Sequence, residues 1–121
     1  MEIIIPFKTP SVNHLYGSRG FRRFLTKEAK ELRKKIAVIV KKVKEEGFML
    51  LNTNNIIVRV EIHENWYTKD GRVKRVDISN REKFLVDSIF EALEIDDKNI
   101  FKHTMIKKQS DDKEFAVVTI K

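Results

Sequence analysis

The sequence predicts an α/β domain of the α+β type, in which two main helices pack on one two-layer, mixed β-sheet. Apolar residues recur every three or four positions over residues 26–47 and 79–94, which is the helical period. They alternate with polar residues over 56–63, which is the strand period. The order of strand, helix, strand, helix and a final hairpin is typical of helices packed on a sheet. Since 121 residues suffice for one core, we expect a single domain over 1–121.

Composition narrows the classes of function. The net charge is +7 and the isoelectric point is about 9.7, which favours a polyanionic partner such as nucleic acid. No apolar run approaches about 18 residues and the first residues lack a signal peptide's basic region, so we expect a cytoplasmic protein with no membrane partner. The absence of cysteine excludes disulfides and thiolate metal sites. No P-loop is present, so no nucleotide cofactor is expected.

The first strand is predicted over Glu2–Phe7, where Pro6 and then Pro10 end it. Residues 9–25 lack periodicity and are predicted to form a long loop, shaped in part by Asn13 and Tyr16. The loop interleaves aromatic residues with arginines, which suits contacts to phosphates and stacking on bases. Its candidate phosphate ligands are Arg19, Arg22 and Arg23. The alternative is a flexible loop whose Phe21 and Phe24 insert into the core, and the two interpretations are compatible.

The first helix is predicted to begin after the N-cap Thr26 and to end at Gly47, with an apolar stripe facing the core and a basic, solvated face opposite. The strand at 56–63 follows. Residues 65–75 then form an exposed basic segment with a turn at Asp70-Gly71. For Trp66 we favour a core or dimer position over stacking on a base. The candidate DNA contacts of this segment are Arg72, Lys74 and Arg75.

The second helix begins at Ser79 or Asn80, where Ser79 and Glu82 fit a capping box. Acidic residues and one lysine surround it: Asp77, Lys83, Asp87, Asp96 and Asp97. Carboxylates near a lysine in a basic chain favour Mg²⁺-assisted hydrolysis of a phosphodiester, because Mg²⁺ prefers oxygen ligands. The alternative is that these groups are solvated helix ends and turns. Beyond them, 99–108 and 114–121 are predicted to form a hairpin of two strands.

Two motifs in the chain match a known family. They stand as Pro10-Ser11-Val12-Asn13-His14-Leu15-Tyr16 and, further on, as Asp77-Ile78-Ser79-Asn80, Lys83, Asp87-Ser88-Ile89 and Asp96-Asp97-Lys98-Asn99-Ile100. Their order and spacing resemble the signature of the RusA family of Holliday-junction resolvases. The sequence departs from that signature at Ser79, where the family usually has a second acidic residue.

The resemblance implies an Mg²⁺-dependent endonuclease, with Mn²⁺ as a substitute, that resolves branched DNA at four-way junctions. It implies metal ligands at Asp77 and Asp97, supported by Asp96 directly or through water. It also implies that Lys83 stabilises the transition state or positions the attacking water. Asp87 is expected to orient Lys83 through an i,i+4 contact. A symmetric four-way junction favours a homodimer with one site per protomer. The alternatives are a weakened or inactive RusA-like protein that still binds junctions, and an unrelated RNA-binding domain.

Overall fold

The computed structural model describes residues 1–10, 16–19, 22–48, 50 and 52–121. Within these ranges the chain forms six strands and two long helices. Their bounds are β1 (Glu2–Ile5), β2 (Tyr16–Arg19), β3 (Arg22–Leu25), α1 (Lys27–Glu45), β4 (Ile56–Glu64), α2 (Ser79–Leu93), β5 (Ile100–Gln109) and β6 (Phe115–Ile120). A short 3₁₀ turn over Asp97–Asn99 joins α2 to β5. The predicted class, a mixed sheet with two helices, is confirmed.

The main sheet has the strand order β1-β6-β4-β5, in which only β4 and β5 run parallel. β4 alternates as predicted, with Val58, Val60 and Ile62 buried between residues that are exposed or half-buried. These side chains join residues of both helices in one hydrophobic core. The pairing of β4 with β5 shifts by one residue between Ile56 and Ile57, which is a β-bulge.

The predicted hairpin of the last two strands is wrong, because β4 lies between β5 and β6. Each strand's composition explains its position. β6 alternates buried with half-buried residues, so it gains most in the interior of the sheet, between β1 and β4. β5 is mostly exposed and carries Lys102, Lys107 and Lys108, which suits an edge strand. The connection between them crosses the end of β4, where the Ser110 amide donates to the Glu64 carbonyl at 3.0 Å.

Part of the predicted loop over residues 9–25 is instead a second, two-stranded sheet formed by β2 and β3. Strands of four residues are too short to show a clear apolar period, and backbone pairing of Tyr16 with Leu25 through Arg19 with Arg22 holds them together. Asn13 and Phe21, which also entered the prediction for this segment, lie outside the described residues.

Both ends of α1 agree with the sequence prediction. The Thr26 hydroxyl accepts a hydrogen bond from the Ala29 amide at 3.2 Å, and Gly47 follows the helix with φ of +90°. Trp66 is a core residue, 3% exposed, whose indole N–H donates to the carbonyls of Ile62 and Lys108. It is therefore not available for stacking on a base.

A buried ion pair joins the last residue of β4 to the first turn of α2. Arg81 Nε lies 3.3 Å from Glu64 Oε1, and the two side chains are 12% and 4% exposed. The pair is not aligned as a hydrogen bond, but the Arg81 guanidinium donates through Nη1 to the Thr9 carbonyl at 3.2 Å. Lys8 is a second cation, 3.6 Å from Glu64. This contact fixes the start of α2 against β4.

Replacing Arg81 by methionine (Arg81→Met) should lower the free energy of unfolding by roughly 3 kcal/mol, the lower end of the range for a broken buried pair, because the buried Glu64 carboxylate then keeps only the more exposed Lys8 as a cation. Urea denaturation measures this loss. The double variant Glu64→Leu/Arg81→Met removes both charges and should recover most of the stability. A loss below about 1 kcal/mol in the single variant, the range of surface pairs, would contradict this role of the ion pair.

Candidate functional site

A groove of about 430 Å³ opens where α2, the 3₁₀ turn and β5 meet. Its polar lining comes from all three elements: Ser79, Glu82, Lys83, Asp87, Asp97 and His103. Four of these, at positions 79, 83, 87 and 97, belong to the motif found in the sequence. The fold thus brings together residues that are up to 18 positions apart along the chain.

α2 presents its motif residues along one face. Ser79, Lys83 and Asp87 follow each other at intervals of four residues, so they lie one above the other on the groove side of the helix. Lys83 Nζ lies 3.4 Å from Asp87 Oδ2, which is the i,i+4 contact expected from the sequence. Lys83 is the more exposed partner, so its ammonium can meet an anion entering from solvent.

Asp77 lies at the entrance of α2 and is exposed, but it is not part of the groove's lining. Its carbonyl accepts a hydrogen bond from the Asn80 amide at 3.0 Å. The preceding residue, Val76, accepts a hydrogen bond from Lys107 Nζ at 2.8 Å. Lys107 of β5 therefore fixes the backbone that leads into Asp77.

The structure separates the two acidic neighbours of the 3₁₀ turn. Asp97 lines the groove, whereas Asp96 lines a different, more apolar cavity of about 590 Å³ together with Met1 and Phe48. The Asp96 carboxylate accepts a hydrogen bond from the Lys98 amide at 2.9 Å and so caps the turn. In this conformation Asp96 supports the turn that carries Asp97.

The predicted capping box is wrong. The N-cap residue of α2 is Ile78, and no side chain caps this end of the helix. Backbone contacts instead serve the first amides, those of Asn80 and Arg81, which donate to the carbonyls of Asp77 and Ile78. Ser79 is exposed and faces the groove, while Glu82 contacts β5.

Glu82 and His103 form a contact that the sequence analysis missed. His103 Nε2 lies 3.1 Å from Glu82 Oε1, and Glu82 is only 7% exposed. The pKa of Glu82 is raised to about 7, first by burial and then by the negative charge of Asp87, while the positive charge of Lys83 acts in the opposite direction. Burial also lowers the pKa of His103. The groove therefore holds a carboxyl group that exchanges its proton near neutral pH.

The donor atoms around the groove are the kind that Mg²⁺ prefers. Asp97 and Asp87 offer carboxylate oxygens and Ser79 a hydroxyl. In the described part of the chain, no three His, Asp or Glu side chains are close enough to enclose a metal ion. The usual Mg²⁺ site has one or two protein carboxylates and is completed by water and by phosphate oxygens of the substrate.

The basic segment after Trp66 forms a small ribbon on the surface. An isolated bridge pairs Tyr67 with Val73, and Gly71 has φ of +84° in the turn between them. Arg72 and Arg75 are exposed and Lys74 is half-buried; Arg72 Nε lies 3.2 Å from Asp70. The other candidate DNA contacts lie in the β2–β3 sheet. There the backbone of Arg19 pairs with that of Arg22, and the backbone of Arg23 pairs with that of Ser18.

The family model described as Endodeoxyribonuclease RusA matches residues 6–121, which is nearly the whole chain. A search of curated proteins gave no match. None of the helices described by the structure is both long and apolar enough to cross a membrane.

The substitution Glu82→Gln should stabilise the protein at high pH. A carboxyl whose pKa rises from 4.5 to about 7 on folding stabilises the fold fully below pH 4.5, and this contribution is lost as the pH rises through about 7. Glutamine stays neutral, so the melting temperature should exceed that of the wild type above pH 7 and match it near pH 4.5. Burial lowers the pKa of His103 from 6.5, so His103 destabilises the fold as the pH falls below 6.5, and it does so in both proteins. Thermal melts across this range measure the difference.

The matched control is Glu94→Gln at the exposed end of α2. Its melting temperature should differ from that of the wild type by the same amount at both pH values. If Glu82→Gln behaved in the same way, Glu82 would not be the group that titrates near neutral pH.

Proposed function

The chain belongs to the RusA family of endodeoxyribonucleases, which resolve Holliday junctions in DNA recombination, and we propose that it does so as an Mg²⁺-dependent enzyme that makes paired symmetric nicks. The observation that carries this proposal is the groove that unites Lys83 and Asp87, on two successive turns of α2, with Asp97 on the adjoining 3₁₀ turn. Mn²⁺ would substitute for Mg²⁺, because both accept carboxylate and water ligands.

Asp77 and Asp97 would hold the metal. Both carboxylates are exposed, but they lie at opposite ends of the 15-residue α2, so each would bind a cation together with water and phosphate oxygens rather than enclose it with the other. Asp96 supports this arrangement by capping the turn that carries Asp97. When bound, the metal ion lowers the pKa of a coordinated water and polarises the scissile phosphate.

Among the residues that line the groove, Lys83 is the cation that would contact the phosphate itself. Its ammonium lies at the solvent side of the groove, where it would stabilise negative charge that develops on the phosphoryl oxygens. Asp87, 3.4 Å away, would orient this ammonium. Lys83 therefore acts on charge, whereas Asp87 acts through Lys83.

The basic residues on either side would bind the DNA backbone. Arg72, Lys74 and Arg75 precede Asp77 directly, so a phosphate chain bound to them leads towards the metal ligands. We assign the same role to Arg19, Arg22 and Arg23. Because a four-way junction has two-fold symmetry, cutting both strands symmetrically is simplest for a homodimer with one groove per protomer.

The presence of serine at position 79 favours a second candidate function, that of a weakened or inactive protein that binds junctions. Ser79 lines the groove where the family's motif usually has a carboxylate, and its hydroxyl brings no charge to a metal. The metal dependence of cleavage separates the two candidates.

Wild-type protein should nick a labelled four-way junction symmetrically in Mg²⁺ but not in EDTA, and it should leave the matching linear duplex intact. Asp77→Asn should reduce the cleavage rate by at least about 10²-fold while junction binding persists, because it removes a metal ligand from an exposed position. Asp112→Asn, at the exposed connection before β6, is the control and should cleave normally. Equal losses of binding and cleavage in Asp77→Asn would contradict the catalytic assignment.

Ser79→Asp should maintain or increase the cleavage rate at low Mg²⁺, because it adds a carboxylate to the groove without removing a helix cap. Initial rates over a series of Mg²⁺ concentrations measure this effect. Ser79→Asn, which has the same shape but no charge, is the matched control. A lower rate at every Mg²⁺ concentration in Ser79→Asp would show that position 79 does not serve the metal.

A further inference from the structure

Glu82 occupies a position that the roles above leave unused. It lines the same groove as Lys83, Asp87 and Asp97, and it lies one helical turn beyond Ser79. Its carboxylate is nearly covered by protein and contacts His103, which belongs to a different element, the edge strand β5. A buried carboxyl that meets an imidazole inside a reaction groove requires an explanation.

Burial in the first place, and then the charged groups around Glu82, determine the state of its proton. Lys83 and Asp87 face it from α2, Asp97 from the 3₁₀ turn and His103 from β5. Lys83 and Asp87 are paired with each other, so their charges partly cancel near Glu82. The carboxyl is half-protonated near pH 7, where it can donate a proton as readily as it accepts one.

Hydrolysis of a phosphodiester can use such a group as a proton donor. The bond from the water oxygen to phosphorus forms while the bond from phosphorus to the leaving nucleoside oxygen breaks. The electron pair of the broken bond stays on that oxygen, which must gain a proton to become a hydroxyl. The proton released by the water passes to solvent.

Building on the proposed function, we propose that Glu82 is the proton donor to the leaving oxygen and that His103 returns a proton from solvent to Glu82 after each cleavage. His103 is the more exposed partner, with 29% of its side chain accessible, so it connects the covered carboxyl to solvent. Lys83 remains the group that stabilises charge on the non-bridging oxygens.

The purely structural alternative is that the pair only attaches α2 to β5. A bridging sulfur at the leaving position distinguishes the two, because a thiolate leaves without needing a proton. A structural residue would matter equally for oxygen and sulfur, whereas a proton donor matters only for oxygen. This comparison is made within one variant, so it does not depend on that variant being fully stable.

The experiment measures single-turnover cleavage of two four-way junctions, one with the natural linkage and one with bridging sulfur at the leaving position. Glu82→Gln should slow the natural junction on the order of 10²-fold and leave the sulfur junction at the wild-type rate. With the wild type, the cleavage rate of the natural junction should fall above neutral pH as Glu82 loses its proton. Glu82→Gln should not show this fall. His103→Gln should show the same pattern to a smaller extent, and Glu94→Gln, the control on the same helix, should match the wild type.

A readout without substrate completes the test. In ¹³C NMR spectra of the metal-free protein, the Glu82 carboxyl should titrate near neutral pH, and a titration in the ordinary range of glutamate would overturn the proposal.

The kinetic results can also overturn it. Equal losses with oxygen and sulfur, or no loss at all, would exclude a proton donor. A loss in Glu82→Gln that additional Mg²⁺ restores would make Glu82 a metal ligand instead. If the wild type cuts neither junction, the proposed function fails together with this inference, whereas normal cutting by Glu82→Gln removes the inference alone.

Discussion

The ion pair between Glu64 and Arg81 is the contact on which the position of the candidate site depends. It is buried at the end of β4, and a charge left there without a partner would cost several kcal/mol, so the first turn of α2 has one favourable place on the sheet. The motif residues Ser79, Lys83 and Asp87 take their positions from that turn. Through the carbonyl of Thr9, the same guanidinium also holds the chain just before the N-terminal motif.

Sequence patterns predicted the elements whose stability comes from one amphipathic face. β4, α1 and α2 each carry a clear period, and the structure has them where the period indicates. Strand pairing was not predictable in the same way. Whether β6 pairs with β4 or with β5 depends on how much each strand is buried in the assembled sheet, which a local pattern does not show. The short β2–β3 pair has no apolar period, so the sequence offered only its arginines and aromatics.

The site shows the same division between local and distant information. Lys83 and Asp87 are four residues apart in the sequence, so their contact could be predicted from spacing. The contact of Glu82 with His103 depends on the parallel pairing of β5 with β4 beneath α2. The capping-box pattern also gave Glu82 a plausible local partner in Ser79. The sequence therefore indicated a capping role for Glu82 within its own helix, whereas in the structure Glu82 contacts His103 of β5.

The bulge at the start of β5 decides which side chains this strand turns towards the helices. Ile56 is opposite Ile100, but Val58 is opposite His103, so β5 uses one residue more than β4 over the same distance. Since side chains alternate along a strand, this additional residue reverses the sidedness of everything after it. His103 shares the inward face of Val58 only for that reason. The register of the edge strand changes at the bulge next to the 3₁₀ turn. Because of this change, the neighbour of Glu82 is the imidazole of His103 and not Lys102.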